Sequence, residues 1–427
     1  MAWGPGETRL AVVEDGRPAE FSVARAGTVA GAVFLGRVVE VAPRIDAAFV
    51  EIGLARPGFL PGGQGLTQGS AVLVQARADG HGAKGALLTA DISFAGRFLA
   101  LSPLRPGFSL SRRLDAADRE RLREAAAALV AEGEGVVVRT AAARASAGDL
   151  AAELAALRAD WGAVDSARAG ARAPALLWRP DPLARLLADH PDVVRVMVDD
   201  AAAFAAARAR FGALVERGAT FDDDVEEAFA AALAPVAPLP GGGRLVIERT
   251  QALTAIDVDS GPSRPADANA QAVAEIARQL RLRSIGGQIV VDFVSGGGKG
   301  SLARLAEELR RAVADDPVPT HVFGVSPLGL VEMTRERRGP ALAELMLESG
   351  TRASAAAAAR AALRAAVAEA AHRPGRALAL TVAAEVAAEL SACPEAVAEA
   401  ESRIGRPLAV RADRARPRED WMIEEVT

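Results

Sequence analysis

Asp257 and Asp292 are the residues of this 427-residue chain whose setting points most directly to chemistry. Each closes a short apolar run, Leu253-Thr254-Ala255-Ile256-Asp257 and Gln288-Ile289-Val290-Val291-Asp292. Between the runs, Val273, Ile276 and Leu280 recur at helical spacing across residues 270–283. A strand–helix–strand unit with parallel neighbouring strands, about 4.8 Å apart, brings both carboxylates out at one edge of the sheet. Asp259 lies two residues past Asp257 and faces the same side while the chain stays extended. Oxygen donors of this kind suit a hard divalent cation, Mg²⁺ first and Mn²⁺ as the alternative. Such an ion activates water and neutralises charge on a phosphoryl group. The same residues also read as a polar turn at Asp257-Val258-Asp259-Ser260-Gly261 and a strand-end cap at Asp292, so spacing alone leaves both readings open.

Cationic and aromatic residues offer a partner for that chemistry. Arg278, Arg281 and Arg283 lie on the crossover helix, and Arg335, Arg337 and Arg338 follow a later strand. Arg112, Arg113 and the pair Arg139-Thr140 form further candidates, because guanidinium forks match phosphate oxygens. The alternative for each is a solvated helix face laced with Arg–Glu pairs. Phe49 and Phe59 sit in short strands next to Gly/Pro turns, with Lys84 nearby in Gly82-Ala83-Lys84-Gly85. Aromatics of this kind either stack on nucleobases or fill a small barrel. The stretch Ser295-Gly296-Gly297-Gly298-Lys299-Gly300-Ser301 fails the phosphate-loop pattern, since Gly300 separates Lys299 from the hydroxyl. It reads instead as a flexible loop at the mouth of the carboxylate site. Cys393 and the four histidines form no nucleophilic or metal constellation.

The elements that must hold these residues follow from periodicity and punctuation. Residues 31–89 show five short alternating strands between Gly/Pro turns, the signature of a small β-barrel such as an OB-fold. Residues 8–13 read as a strand whose partner comes from elsewhere. A helix over 114–131 leads to a strand at 135–140, and Leu150, Leu154, Leu157 and Trp161 mark a second helix. Residues 176–243 continue as mixed α/β, with a strand at 193–198 and a Pro/Gly break at 239–243. After the carboxylate unit comes a helix over 301–313. The chain then gives an alanine-dense helix at 353–371, a strand at 377–382, a helix at 383–391 and a strand at 407–410.

Composition sets the outer limits. Fifty basic against fifty-five acidic side chains leave −5, and two lysines (Lys84, Lys299) among the fifty leave 48 arginines. At 50% hydrophobic and 25% charged the chain is ordinary globular material of several structural units. No run of about 18 apolar residues predicts a membrane span, and residues 1–20 lack a signal-peptide layout. One cysteine excludes an internal disulfide and a cysteine-based zinc site within one chain. A secreted disulfide scaffold, a membrane-spanning protein and a wholly basic nucleic-acid coat are thereby set aside. A cytoplasmic location is expected.

Longer strings carry a resemblance to the ribonuclease E/G family of bacterial endoribonucleases. Ala252-Leu253-Thr254-Ala255-Ile256-Asp257-Val258 resembles its first acidic motif. Ile276-Ala277-Arg278-Gln279-Leu280-Arg281-Leu282-Arg283, followed by Gly286-Gly287-Gln288-Ile289-Val290-Val291-Asp292-Phe293, is similar to its second. Gly329-Leu330-Val331-Glu332-Met333-Thr334-Arg335 resembles a third signature. Ala47-Ala48-Phe49-Val50 and Gly58-Phe59-Leu60-Pro61 look like the family's OB-fold domain, and Gly135-Val136-Val137-Val138-Arg139-Thr140 is similar to its 5′-monophosphate sensor.

The resemblance implies Mg²⁺-dependent hydrolysis of single-stranded RNA to 5′-phosphate and 3′-hydroxyl ends, in RNA processing or decay. Asp257 and Asp292 would hold the ion, with Asp259 beside them as a catalytic residue. Phe49, Phe59 and Lys84 would hold RNA, Arg139 and Thr140 would read the 5′-phosphate, and Arg278 and Arg281 would contact RNA phosphates. The implied α/β multidomain layout is an RNase H-like domain (1–30 and 176–243) interrupted by an OB-fold barrel (31–93) and a 5′-sensor (94–175). A DNase I-like catalytic domain (244–347) and a small α/β domain (348–427) follow. Departures are specific: Asp259 replaces the usual asparagine, and Ser295 and Gln251 stand where acids are expected. The Cys-x-x-Cys zinc link is missing, so no zinc is expected and a homo-oligomer would form by other contacts. The long scaffold tail of the family's larger members is not expected. An RNA-binding member with weakened or lost catalysis, or an unrelated phosphohydrolase of small nucleotides, remain the competing readings.

Overall fold

A computed structural model describes residues 1–81, 84–295, 300–348 and 352–426. Gly82 and Ala83, the stretch from Gly296 to Lys299 expected as a flexible loop, and Ser349 and Gly350 therefore lie outside the described residues. The chain divides into two compact units: Met1–Ala26 with Met197–Ala205 and Glu216–Thr427, and Gly27–Val196 with Ala206–Val215. Residues 176–243 fall partly in each unit.

The first unit opens with an antiparallel meander of β1 (Ala2–Gly4), β2 (Glu7–Glu14) and β3 (Arg17–Arg25). The strand over 8–13 takes its partners not from elsewhere in the chain but from β1 and β3, which flank it directly. Asp15 and Gly16 explain this, since their φ values of 49° and 76° supply the two left-handed residues of a tight hairpin turn. Phe21 on β3 is fully buried, edge-on to Phe229 at 5.1 Å.

The second unit contains β4 (Val33–Ala42), β5 (Ala47–Glu51), β6 (Gly58–Pro61), β7 (Ala71–Ala78) and β8 (Leu87–Thr89). They run in the order β4-β5-β6-β8-β7, and a further β4–β7 pairing closes a five-stranded OB-like barrel. Val38, Ala48, Val50, Leu60, Val74 and Leu88 fill its interior. Gly85 is required at the entry to β8, because a Cβ there would meet the Pro57 carbonyl oxygen at 1.9 Å.

Beyond the barrel, β9 (Phe94–Ala95), β10 (Leu99–Ser102), β11 (Gly107–Leu110) and β12 (Gly135–Val138) form a second sheet. Helices α1 (Ala116–Ala127) and α2 (Ala147–Gly170) cover it, sharing a core with Leu99, Leu101, Val136, Val138, Leu150 and Leu154. The strand expected over 135–140 stops at Val138, and Thr140 opens a 3₁₀ turn. The strand expected over 193–198 is confined to Val196–Val198.

The principal sheet of the first unit has six strands: β13 (Val236–Pro238), β14 (Arg244–Arg249), β15 (Leu253–Asp259), β16 (Gly287–Asp292), β17 (Thr320–Val325) and β18 (Val331–Arg335). Their order is β13-β14-β15-β16-β18-β17, with β15 and β16 parallel and joined by α3 (Pro265–Leu282). Helix α4 (Ser301–Ala312) follows β16. Alternation fixes the two faces. Ile256, Val258, Ile289, Val291, Val331 and Met333 join Ile276, Leu280, Leu305 and Leu309 of the helices in one core. Asp257, Asp292 and Glu332 are exposed on the other face.

The C-terminal module centres on β19 (Leu378–Ala383), all six residues of which are buried. Helix α5 (Ala355–His372) precedes it, and α6 (Ala384–Ala392), α7 (Pro394–Ile404), β20 (Leu408–Asp413) and β21 (Trp421–Glu425) follow. No helix among the described residues is long and apolar enough to cross a membrane.

Candidate functional site

Asp257 and Asp292 are directly opposed in the parallel β15–β16 ladder, and they form its last pair. Both side chains are exposed. Neither has a hydrogen-bond or ion-pair partner among the described residues. Two like charges at neighbouring strand ends repel each other. A chain that keeps such a pair uncompensated offers a seat for a cation. No group of three or more His, Cys, Asp or Glu side chains converges as a metal cage among the described residues. One or two carboxylates completed by water and phosphate oxygens is the usual way in which protein holds Mg²⁺, so the donor set fits that ion.

Asp259 is placed differently. Its Oδ1 accepts from the Gly261 N–H at 2.9 Å, and its Oδ2 pairs with Arg244 Nη2 at 2.9 Å. The Gly261 N–H, and then the Arg244 charge, hold this carboxyl below the ordinary Asp range. Asp259 therefore remains on the carboxylate strand but already carries its own counter-charge.

The crossover-helix arginines are not brought to the carboxylates. Helix α3 packs on the opposite face of the sheet and turns its basic residues toward the N-terminal meander. Arg278 pairs with Glu275 at 2.6 Å and donates to the Pro18 carbonyl at 3.2 Å, while Arg281 pairs with Glu14. Arg283 is buried, donates to the Ala234 carbonyl and to Gln279, and burial pushes its pKa down to about 10. Arg335 forms a two-point pair with Asp316, at 2.7 and 3.0 Å, with both side chains almost fully buried. Arg337 pairs with Glu344, and Arg338 with Glu336. Arg281 and Arg335 tie together elements distant in the chain, whereas Arg278, Arg337 and Arg338 pair with acids close by in sequence.

On the barrel, Phe49 and Phe59 occupy opposed positions of β5 and β6, with ring centroids 5.9 Å apart in an edge-to-face arrangement. Both are half-exposed, while their neighbours Ala48, Val50 and Leu60 point inward. Strand alternation thus puts the aromatics on the outer surface. Leu87 on β8, paired with Phe59 of β6, is 38% exposed and extends this apolar strip, a contribution the sequence does not mark. Lys84 is exposed in the turn leading to β8, where its backbone pairs with His81.

Thr140 lies just past β12, and its Oγ1 is 2.8 Å from the Ser111 Oγ just past the parallel strand β11. Arg112 and Arg113, both exposed, follow Ser111 directly. Arg139 is turned inward instead: its Nη1 donates to the carbonyls of Gly96 and Ala188, the latter at 2.6 Å. Glu153 organises the loop that receives it, accepting the backbone N–H groups of Arg97, Phe98 and Leu99, each at 2.7 Å. Burial outweighs these bonds and pushes the Glu153 carboxyl above the ordinary Glu range. The sequence marks Arg139 and Thr140 but not the part-buried Glu153 that orders the 97–99 backbone, since Glu153 carries no motif.

Comparison with known proteins places the chain in a family. The model of the Ribonuclease E/G family matches residues 93–338. Ribonuclease E of Nostoc sp. is 35% identical over 378 residues, covering 78% of this chain and 55% of that protein. Ribonuclease E of Escherichia coli K12 is 32% identical over 390 residues, covering 79% of this chain and 36% of that protein. Ribonuclease G of Escherichia coli K12 is 32% identical over 399 residues, covering 80% of each. The chain belongs to the Ribonuclease E/G family. It spans about half the length of the Nostoc relative and about a third of the Escherichia coli ribonuclease E it matches.

Proposed function

We propose that this chain is an endoribonuclease that hydrolyses single-stranded RNA in RNA processing or decay, leaving 5′-phosphate and 3′-hydroxyl ends. The observation that carries this reading is the Asp257–Asp292 pair, in register, exposed and without a partner among the described residues. Asp257 and Asp292 would hold Mg²⁺, with Mn²⁺ as a substitute. When bound, the ion supplies Lewis-acid polarisation of the phosphoryl group and a more acidic water. The chain's own contribution is placement. The two strand ends fix both carboxylates on one side of the phosphate, and Asp259, neutralised by Arg244, leaves the local charge at two carboxylates rather than three.

The barrel would hold the substrate through Phe49 and Phe59, with Leu87 lengthening the apolar strip and Lys84 adding a cation. Names of the relatives support the substrate class, since each is a ribonuclease. The deciding experiment incubates a 5′-monophosphorylated single-stranded RNA with Mg²⁺ and either the wild type or Asp257→Asn. Cleavage by the wild type alone is expected. Equal cleavage by both would remove the carboxylate pair from the mechanism, and binding without cleavage by the wild type would make the chain an RNA-binding member of its family.

Preference for a 5′-monophosphate is the finer part of the proposal. The Ser111 and Thr140 hydroxyls, with Arg112 and Arg113, form an exposed donor group suited to a terminal phosphate. Arg139 supports that group from below, so Arg139→Ala would disturb the loop as well as the recognition. Thr140→Val is the cleaner variant. It should lower cleavage of 5′-monophosphorylated RNA by about tenfold or more, the value of one hydrogen bond to a charged group, and leave 5′-hydroxylated RNA unchanged. An equal loss on both substrates would sink the sensing role.

A further inference from the structure

We propose that Asn269 is a positioning residue that fixes Asp292 in metal-binding register by standing in for a missing strand; this rests on the carboxylate-site reading above. Asn269 lies in the second turn of α3, on the face turned to the sheet, and is 6% exposed. Its Nδ2 donates to the Val294 carbonyl at 2.9 Å, and its Oδ1 accepts the Val294 N–H at 3.0 Å. The partner offers one donor and one acceptor, so the pairing itself sets the orientation of the amide.

The location of this clamp gives it its meaning. The β15–β16 ladder ends at Asp257–Asp292, and the β16–β18 ladder ends one residue earlier, at Val291–Val331. Past Asp292 the strand has no further ladder partner on either side among the described residues. Val294 would there expose its N–H and carbonyl, and frayed strand ends move. The Asn269 amide takes both groups, as a neighbouring strand would. Asp292 is thereby held between two fixed points, the ladder pair behind it and the amide clamp two residues ahead. Phe293, buried in the sheet–helix core, anchors the intervening residue from the same side.

Stability alone gives little reason for an asparagine here. Asparagine is a poor helix former, and a buried amide is tolerated only when every polar atom is paired. Both atoms are paired, and both bonds go to the segment that carries a proposed ligand. Groups that orient metal ligands without touching the metal commonly change affinity by about 10–100-fold when removed.

The test reads metal binding directly, on the full chain without RNA. Mn²⁺ is titrated and free ion followed by electron paramagnetic resonance, for the wild type, Asn269→Leu, Asn269→Asp and Val273→Ala, with Tm measured for each. Asn269→Leu keeps the volume and removes both hydrogen bonds. Asn269→Asp keeps the acceptor for the Val294 N–H, sets a carboxylate against its carbonyl, and serves if the leucine variant does not fold. Val273→Ala trims the same helix in the core and supplies a loss of stability without a change at the clamp. The expected result is Mn²⁺ binding weakened about tenfold or more in both Asn269 variants and unchanged in Val273→Ala. Wild-type affinity in the Asn269 variants, or an equal weakening in Val273→Ala, would overturn the positioning role. Asp257→Asn separates the two levels: if the wild type binds no Mn²⁺, or Asp257→Asn binds it equally well, the metal-site reading falls and the positioning role falls with it.

Discussion

Asp292→Asn should abolish RNA cleavage to below about a thousandth of the wild-type rate while leaving the folded protein at least as stable as before. The size of the first effect follows from charge. A carboxylate ligand lost from a two-carboxylate Mg²⁺ site removes half of the protein's anionic hold on the ion, and stabilisation of developing charge is commonly worth several kcal/mol of barrier. The second effect is the more discriminating. A structural acid removed from its partner costs stability, but Asp292 has no partner among the described residues and faces a like charge on Asp257. Its neutralisation removes that like-charge repulsion in metal-free buffer. Mg²⁺ should then raise the Tm of the wild type, because a ligand bound only by the folded state stabilises it, and should leave Asp292→Asn unchanged. Thermal melts with and without Mg²⁺, beside a single-turnover cleavage assay, check both halves. A destabilised Asp292→Asn would show that the carboxylate has a structural partner, and an Mg²⁺-insensitive wild type would remove the ion from the site.

The parts of this architecture that could be read from sequence are those set by local periodicity. The barrel strands alternate and are punctuated by glycine and proline, so all five emerge near their true positions. The β15–α3–β16 crossover is equally plain, because a helical stripe at Val273, Ile276 and Leu280 separates two strand-length apolar runs. What periodicity cannot supply is the partner of a long polar side chain. Arg281 pairs with Glu14, 267 residues away, and Arg9 with Glu226, 217 residues away. Such pairs depend on which elements meet after folding, and an arginine bound for a phosphate looks the same in sequence. The N-terminal meander is less legible for a smaller reason: its hairpin rests on the two-residue Asp15-Gly16 turn, and nothing in the spacing of residues 8–13 points to strands on either side. Asn269 was invisible because its role depends on where a neighbouring ladder stops.

The aromatic pair on the barrel carries the second large expectation: Phe49→Ala with Phe59→Ala should weaken single-stranded RNA binding by about 100-fold or more. Stacking a base on an aromatic ring is worth about 1–3 kcal/mol, and two half-exposed rings face outward together. The single variants should not add. Each ring braces the other edge-on at 5.9 Å, so losing either one also loosens its neighbour, and coupled residues of this kind show interaction terms of about 0.5–3 kcal/mol. Each single variant should therefore cost more than half of the double. Leu87→Ala, at the rim of the strip, should cost less than either. The chain's net charge of −5 gives the expectation its sharper form. A protein that gains affinity chiefly by neutralising phosphates loses it steeply with salt, in proportion to the number of contacts. Here, with Arg278 and Arg281 committed to Glu275 and Glu14, binding should fall only gently as salt rises. The same gentle slope should persist in the aromatic variants, since stacking rather than counterion release has been removed. Fluorescence anisotropy of a labelled single-stranded RNA across a salt series, with wild type, singles and double, measures both quantities. A steep slope in the wild type, or aromatic variants that bind as tightly as it does, would move the RNA away from this face of the barrel.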